Sequence, residues 1–222
     1  NNRQISSLPL QDGDLLVLSD DEVHFDLPAW KVAGVAIPVF SLRSEKSFGV
    51  GDFGDLKKMI DWAALTGQKI VQILPINDTT ITHTWTDSYP YSSISIYAFH
   101  PMYIDLNQLE PLEDAGKREI FEQHRLELNA LPEIDYEAVN QYKLEYLHLL
   151  FQQMGETLLE STGFRQFFKE NKHWLVPYSV FCYLRDKYGT SVFRNWPEHQ
   201  VYHEETITRM AEEDQECHQE VR

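Results

Sequence analysis

Ile70-Val71-Gln72-Ile73-Leu74-Pro75-Ile76-Asn77-Asp78-Thr79-Thr80, followed by Asp87-Ser88-Tyr89-Pro90-Tyr91-Ser92-Ser93 and then Met102-Tyr103-Ile104-Asp105, decides the fold class. Ile70 to Leu74 is an apolar strand pattern broken at Pro75 by a polar turn. Met102 to Asp105 reads as another short strand. A strand that ends in a loop rich in hydroxyls, carboxylates and aromatic rings is how barrel enzymes present a site for a polar substrate. Tyr rings stack on the apolar faces of sugars, while Ser and Asp hydrogen-bond to hydroxyls. The loop therefore reads as a carbohydrate contact surface.

Working outward, Val35 to Phe40 is a second apolar run that reads as a buried strand, with Pro38 placing a strand end inside it. Between the two strands lies a helix. Asp52 is its cap with Asp55 three residues on, and Leu56, Met59, Ile60, Ala63 and Ala64 share one face. Gly67 stands where a left-handed terminator belongs. The spacing fits one strand-helix-strand crossover of a parallel sheet. Beyond Asp105 the periodicity turns helical, with helices expected near 115–129, 136–160, 164–171, 177–188 and 203–220. In the second of these, Leu144, Leu147, Leu150 and Phe151 form the expected apolar stripe.

At 222 residues with 42% hydrophobic side chains, the composition is that of a folded chain able to bury a core. A formal net charge of -16 argues against nucleic acid and anionic membrane surfaces as partners. A neutral, hydroxyl-rich ligand meets no such penalty. Cys182 and Cys217 are the two cysteines, with no Cys-x-x-Cys pair, which fits a reduced, cytoplasmic protein. No run reaches the roughly 18 apolar residues of a membrane span. The chain begins at Asn1 rather than Met and ends within a helical pattern, so it is expected to be a piece of something longer.

Gly34-Val35-Ala36-Ile37-Pro38-Val39-Phe40-Ser41-Leu42-Arg43-Ser44 and Phe48-Gly49-Val50-Gly51-Asp52-Phe53-Gly54-Asp55 resemble the first barrel strand and loop of the 4-alpha-glucanotransferases, glycoside hydrolase family 77. Gln72 to Asn77 resembles their second strand, and Asp87 to Ser93 their Asp-Ser-Pro-Tyr loop, with Tyr89 inserted. The Leu-Arg-Ser-Glu opening and the inserted Tyr89 look most like the plant cytosolic and related bacterial branch, in which a starch-binding module precedes this region. The resemblance is specific over residues 30 to 106 and weaker from Tyr178 to Tyr188. It implies an α/β fold, a partial (β/α)8 TIM barrel of first strands with a large α-helical insertion. Residues 1–30 would then be an extended linker or the end of a preceding domain, 31–106 the first strands of the barrel, and 107–222 the helical insertion.

The implied chemistry is glucan transfer between maltooligosaccharides or other alpha-1,4-glucans with retained configuration. A carboxylate nucleophile and a second carboxyl group about 5 Å away act in turn, without a cofactor. Family members carry these acids on later strands, and no segment here resembles them. No catalytic residue and no metal ligand is assigned within the chain, and the chain alone is expected to be inactive. By itself Tyr91 reads as a turn residue with a buried ring. The resemblance instead sets it against the sugar at the cleavage subsite, with Ser88 and Asp87 bordering the same pocket and Ser88 displaced by the Tyr89 insertion.

Rival readings attach to several residues. Gly49-Val50-Gly51-Asp52-Phe53-Gly54 matches the dinucleotide fingerprint, with Asp78 at a fitting distance for a ribose contact. Against it, eight residues separate Phe40 from Gly49, Asp52 puts a negative charge where a pyrophosphate would bind, and helices replace strands downstream. His199 and His203 have the four-residue spacing of paired metal ligands, but Pro197 favours a loop and an ordinary acidic surface. Cys217-His218 and the run Glu212-Glu213-Asp214 carry weaker signals still. Arg43 and Glu45 form an ion pair that fixes the first loop, or they face the active cavity; the sequence weighs these equally. A non-catalytic carbohydrate-binding module remains the alternative to an enzyme, since the same aromatic loop serves both. Two or three strands of an eight-stranded barrel also leave an open sheet edge.

Overall fold

The computed structural model describes residues 31–213 and 217. The expectations for residues 1–30, for Asp214 and His218, and for the last residues of the 203–220 helix lie outside them. Every element below belongs to the unit that begins at Gly34.

Strands β1 (Gly34–Ile37) and β2 (Ile70–Ile73) pair in parallel, Gly34 opposite Ile70 and Ile37 opposite Ile73. Gly34 is required by contact: a Cβ there would stand 2.3 Å from the Ile70 carbonyl oxygen. β1 stops sooner than its apolar run because Pro38 has no N–H for a ladder, and Val39–Ser41 turns into a 3-10 segment. Both strands alternate exposed and half-buried positions rather than being buried throughout, a correction to the reading from hydropathy. Helix α1 (Phe53–Leu65) joins them. Its capping box is complete: Asp52 Oδ1 accepts from the Asp55 amide at 3.1 Å, and Asp55 Oδ2 accepts from the Asp52 amide at 3.3 Å. Gly67 adopts φ 77°, the left-handed terminator expected of it. Of the expected α1 face, Ala63 is buried, whereas Ile60 is 50% exposed.

The expected strand at Met102–Asp105 does not form. Pro101–Tyr103 is a 3-10 turn that opens with Pro at its first position. The Met102 and Ile104 carbonyls, which a ladder would use, accept instead from Lys143 Nζ at 2.7 and 2.8 Å. A lysine 1% exposed thus does the work of a neighbouring strand. The sheet among the described residues has two strands, and the surrounding mass is helical.

Helices α2 (Ala115–Ala130) and α3 (Tyr136–Glu160) start at Asp114 and Asp135, whose side chains accept from amides three residues on. α3 buries Val139, Lys143, Tyr146 and Leu150 rather than the expected leucine stripe, of which Leu150 alone is buried and Phe151 is 39% exposed. Phe48 and Val50 pack into the same cluster as Phe121, Leu128, Val139 and Leu150. The two helices expected at 164–171 and 177–188 are one, α4 (Thr162–Tyr188), with Pro177 inside it. Pro177 removes one helical hydrogen bond, and the helix continues because Val180 and Leu184 beyond it are anchored in a core with Trp196, Met210 and Cys217. α5 (Glu204–Glu213) packs on α4.

Lys143→Met preserves most of the stem while stripping one buried and one part-buried carbonyl of their donor. Leaving them unsatisfied lowers stability by about 1–3 kcal/mol, read as a lower urea midpoint. An unshifted midpoint would show that the clamp is dispensable.

Candidate functional site: the loop after β2

Parallel strands place their following loops at one end, where open α/β sheets bind ligands. The β2 loop runs from Leu74 to His100 and is closed at its neck. The Asp78 amide donates to Ala98 O at 2.9 Å and the His100 amide to Ile76 O at 3.0 Å, around an antiparallel bridge between Asn77 and Phe99.

Inside the neck, two carboxylates organise the chain. Asp87, 4% exposed, accepts from the amides of Ile81, Thr82 and His83 at 3.0, 2.9 and 2.7 Å, and its own carbonyl accepts from Thr79 Oγ1 at 2.5 Å. Asp78, 2% exposed, accepts from the Thr80 amide at 2.9 Å, from Thr80 Oγ1 at 2.6 Å and from Tyr178 Oη at 2.5 Å. Burial, reinforced by Asp78, pushes the Tyr178 hydroxyl well above its usual range, so it remains a proton donor.

The same helix holds the loop twice more. Arg185 donates to Thr80 O at 3.0 Å and forks onto Asp186 at 2.7 and 2.8 Å, while His83 Nε2 meets Asp186 Oδ1 at 2.8 Å. Burial opposes the charge on Asp186, but the bonds from Arg185 and His83 outweigh it and hold the carboxyl below its ordinary value. His83 reaches this pair from a left-handed backbone, φ 58°, a conformation stabilised by the Asp87 acceptor on its amide.

With both acids facing inward, the loop turns rings outward. Tyr91 and Tyr89 are 61% and 59% exposed, their centroids 5.6 Å apart and their planes tilted by 50°. Ser88 is half-buried between Asp87 and this pair. Tyr97 stacks on Trp174 of α4, centroids 5.3 Å apart, and pins the far side of the loop. The structure thus brings Asp87, Ser88 and Tyr91 onto one loop, with Asp87 as its internal anchor and Tyr91 on its surface. Ring burial, the reading Tyr91 invites when taken alone, does not occur.

Tyr178, Arg185, Asp186 and His83 give no local signal of their roles in the sequence. Their contacts span about 100 positions (Tyr178 to Asp78, Arg185 to Thr80, His83 to Asp186). The partial likeness at Tyr178–Tyr188 is the one sequence feature that points at this face of α4.

A second acidic cluster needs a chemical reading. Asp52, Asp55 and Asp105 line a cleft of about 260 Å³ with Lys46 and Lys58. Burial pushes Asp52 up to about 6, although Lys143 pulls it down. Asp55 is also opposed by burial, yet bonds from Ser44, Ser47 and Lys58 bring it below its usual value. Carboxyls driven apart in this way resemble an acid/base pair, but Asp52 and Asp55 are committed to the α1 capping box. The box also settles the glycine motif. Asp52 occupies the helix N-terminus where a phosphate would lie, Gly49 packs 2.8 Å (as a notional Cβ) from Leu128, and Gly51 lies against the Val39 carbonyl. The glycines serve packing.

Other candidates resolve similarly. Arg43 Nη2 donates to Leu131 O at 2.8 Å, and no Arg43–Glu45 ion pair exists among the described residues. His199 sits in a loop at φ 63°, and among the described residues no group of three His, Cys, Asp or Glu side chains is placed to hold a metal. Cys182 is half-buried and Cys217 buried, and the two are not joined in a disulfide. No described helix is long and apolar enough to cross a membrane.

Among the described residues, then, a parallel strand-helix-strand unit carries a polar, aromatic-tipped loop at its carboxyl end, which defines an α/β segment. The family model for 4-alpha-glucanotransferases, glycoside hydrolase family 77, matches residues 37–222, and the chain belongs to that family. It is 40% identical over 184 residues to 4-alpha-glucanotransferase DPE2 of Oryza sativa subsp. japonica, covering 83% of this chain and 19% of that protein. It is 33% identical over 164 residues to a 4-alpha-glucanotransferase of Chlamydia muridarum and 34% over 165 residues to that of Chlamydia caviae, covering 30% of each. The chain therefore spans between about a fifth and a third of the length of these relatives.

Asp87→Ala frees three part-buried amides, so exchange at Ile81, Thr82 and His83 speeds up while α2 and α3 keep their protection; unchanged exchange would mean that the carboxylate is not the organiser. Asp52 has a folded value of about 6 against 3.8 unfolded, so the native state binds the extra proton between those values and stability falls as pH rises through them. Asp52→Asn keeps a capping acceptor and removes that dependence. Its advantage over the parent chain is largest above pH 7 and shrinks toward pH 4 in urea titrations, whereas a constant offset counts against the assignment.

Proposed function

We propose that this chain supplies part of the substrate cleft of a 4-alpha-glucanotransferase that transfers alpha-1,4-glucan segments between maltooligosaccharides by retaining double displacement. The observation that carries this is the outward Tyr89–Tyr91 pair, presented at the carboxyl end of two parallel strands by a loop whose acids are consumed internally. A ring half open to water offers its face to the apolar face of a glucose unit. In this reading Tyr91 carries the contact, Ser88 contributes a hydroxyl beside it, and Asp87 fixes the backbone that aims both.

In this proposal β1, α1 and β2 are the opening units of a (β/α)8 barrel, and residues 107–222 form a helical insertion beside it. Family membership and the parallel register support this. The nucleophile and the acid/base belong to parts of the enzyme outside this chain, since the buried acids of the loop and of α1 are engaged by backbone and hydroxyl donors. No cofactor enters the reaction. Two cysteines that are not joined in a disulfide suit a reduced, cytoplasmic setting.

Titrating this chain with maltoheptaose should perturb the ring resonances of Tyr91 and Tyr89 but not those of Tyr146, which is buried in the core. Tyr91→Ala should weaken that response by about tenfold, the equivalent of about 1.4 kcal/mol for one stacked ring. Binding that leaves the two rings unperturbed would remove the basis of this reading. The chain alone should not disproportionate maltotriose, and turnover by it would place the catalytic acids within these residues.

A further inference from the structure

Beneath the loop is a cavity of about 20 Å³, lined among others by Thr80, Asp87, His100, Asn140 and Lys143. His100 is 3% exposed, and its Nδ1 accepts from the Met102 amide at 3.1 Å. A ring nitrogen that accepts carries no proton. Burial lowers the His100 pKa, so the ring is neutral and its hydrogen sits on Nε2. That Nε2 is buried and has no hydrogen-bond partner among the described residues.

Lys143 presents the same deficit. Its ammonium has three N–H groups, and two are spent on the Met102 and Ile104 carbonyls. Burial brings its pKa down to about 8, which leaves it charged at neutral pH. Two buried donors therefore border one small space, and a buried donor without an acceptor is destabilising. Asp87 also lines this space, and among the described residues its Oδ1 has Thr82 as its one donor residue, so it retains acceptor capacity.

We infer that the cavity holds one structural water, accepting from His100 Nε2 and Lys143 Nζ and donating toward Asp87. The volume suits a single water, which needs at least about 10–15 Å³ of such space and two to four polar partners. It excludes a sugar hydroxyl arriving with its ring. A halide would satisfy both donors but would sit against the Asp87 carboxylate, whereas water supplies lone pairs to one side and protons to the other. The site links α3 and the 3-10 turn to the carboxylate that folds the loop, independently of what the loop binds.

Crystals of this chain soaked in sodium bromide test the inference directly. The expected result is a density peak within about 3.2 Å of His100 Nε2 that shows no anomalous signal at the bromine edge. A bromine signal there would assign the site to an anion and overturn the water, as would an empty cavity. Ring ¹⁵N shifts give a second reading: at neutral pH His100 should be the Nε2–H tautomer. The Nδ1–H tautomer would reverse the donor on which the site depends.

Discussion

Two carboxylates buried in one loop set the terms for everything around them. Neither Asp78 nor Asp87 tolerates removal from water unless its oxygens receive hydrogen bonds. Asp87 takes them from its own loop, which forces residues 81–83 to curl so that three successive amides converge. Asp78 takes them from Thr80 and from Tyr178 on a helix that begins more than 80 residues later. The local curl and the distant docking of α4 thus solve the same electrostatic problem. Arg185, through the Thr80 carbonyl, ties the two solutions together.

This division of labour explains which groups the loop leaves on its surface. Acids that serve as anchors are unavailable for chemistry, so the loop contributes shape and ring surface. Lys143 plays the corresponding part under the next segment, where an ammonium replaces a strand partner for Met102 and Ile104. Its charge also draws Asp52 back toward ionisation against the push of burial. The capping of α1 and the position of the 3-10 turn are coupled in this way through one buried cation.

Features governed by neighbours in sequence were legible. The Asp52–Asp55 box, the Gly67 terminator, the starts of α2 and α3 and the strand-helix-strand crossover all follow from rules that span a few residues. Features governed by distant partners were not. Met102–Asp105 has strand-forming residues, but Pro101 and a lysine about 40 positions away decide its conformation. That lysine also hid the true face of α3, because a charged residue in the middle of Val139, Tyr146 and Leu150 breaks the apolar periodicity. Pro177 suggested a helix boundary, and packing beyond it overrode the local cost. In the loop, the aromatic and acidic residues were readable, but the inward turn of Asp87 depended on amides whose direction no pattern announces.

The two strands raise a question of stability that their side chains answer. A two-stranded parallel sheet has unpaired groups along both edges and little intrinsic stability. Here the half-buried positions are Val35, Ile37, Val71 and Ile73, and Ile73 packs with Phe53 and Leu56 of α1 around Val39 and Tyr103. The exposed positions are Gly34, Ala36, Ile70 and Gln72, two small residues and one amide among four. Because burial is worth about 25 cal/mol per Å² of apolar surface, the exposed face forfeits little, and most of the gain lies on the α1 side. The unit can hold its register on one covered face. It leaves the opposite face narrow and partly polar.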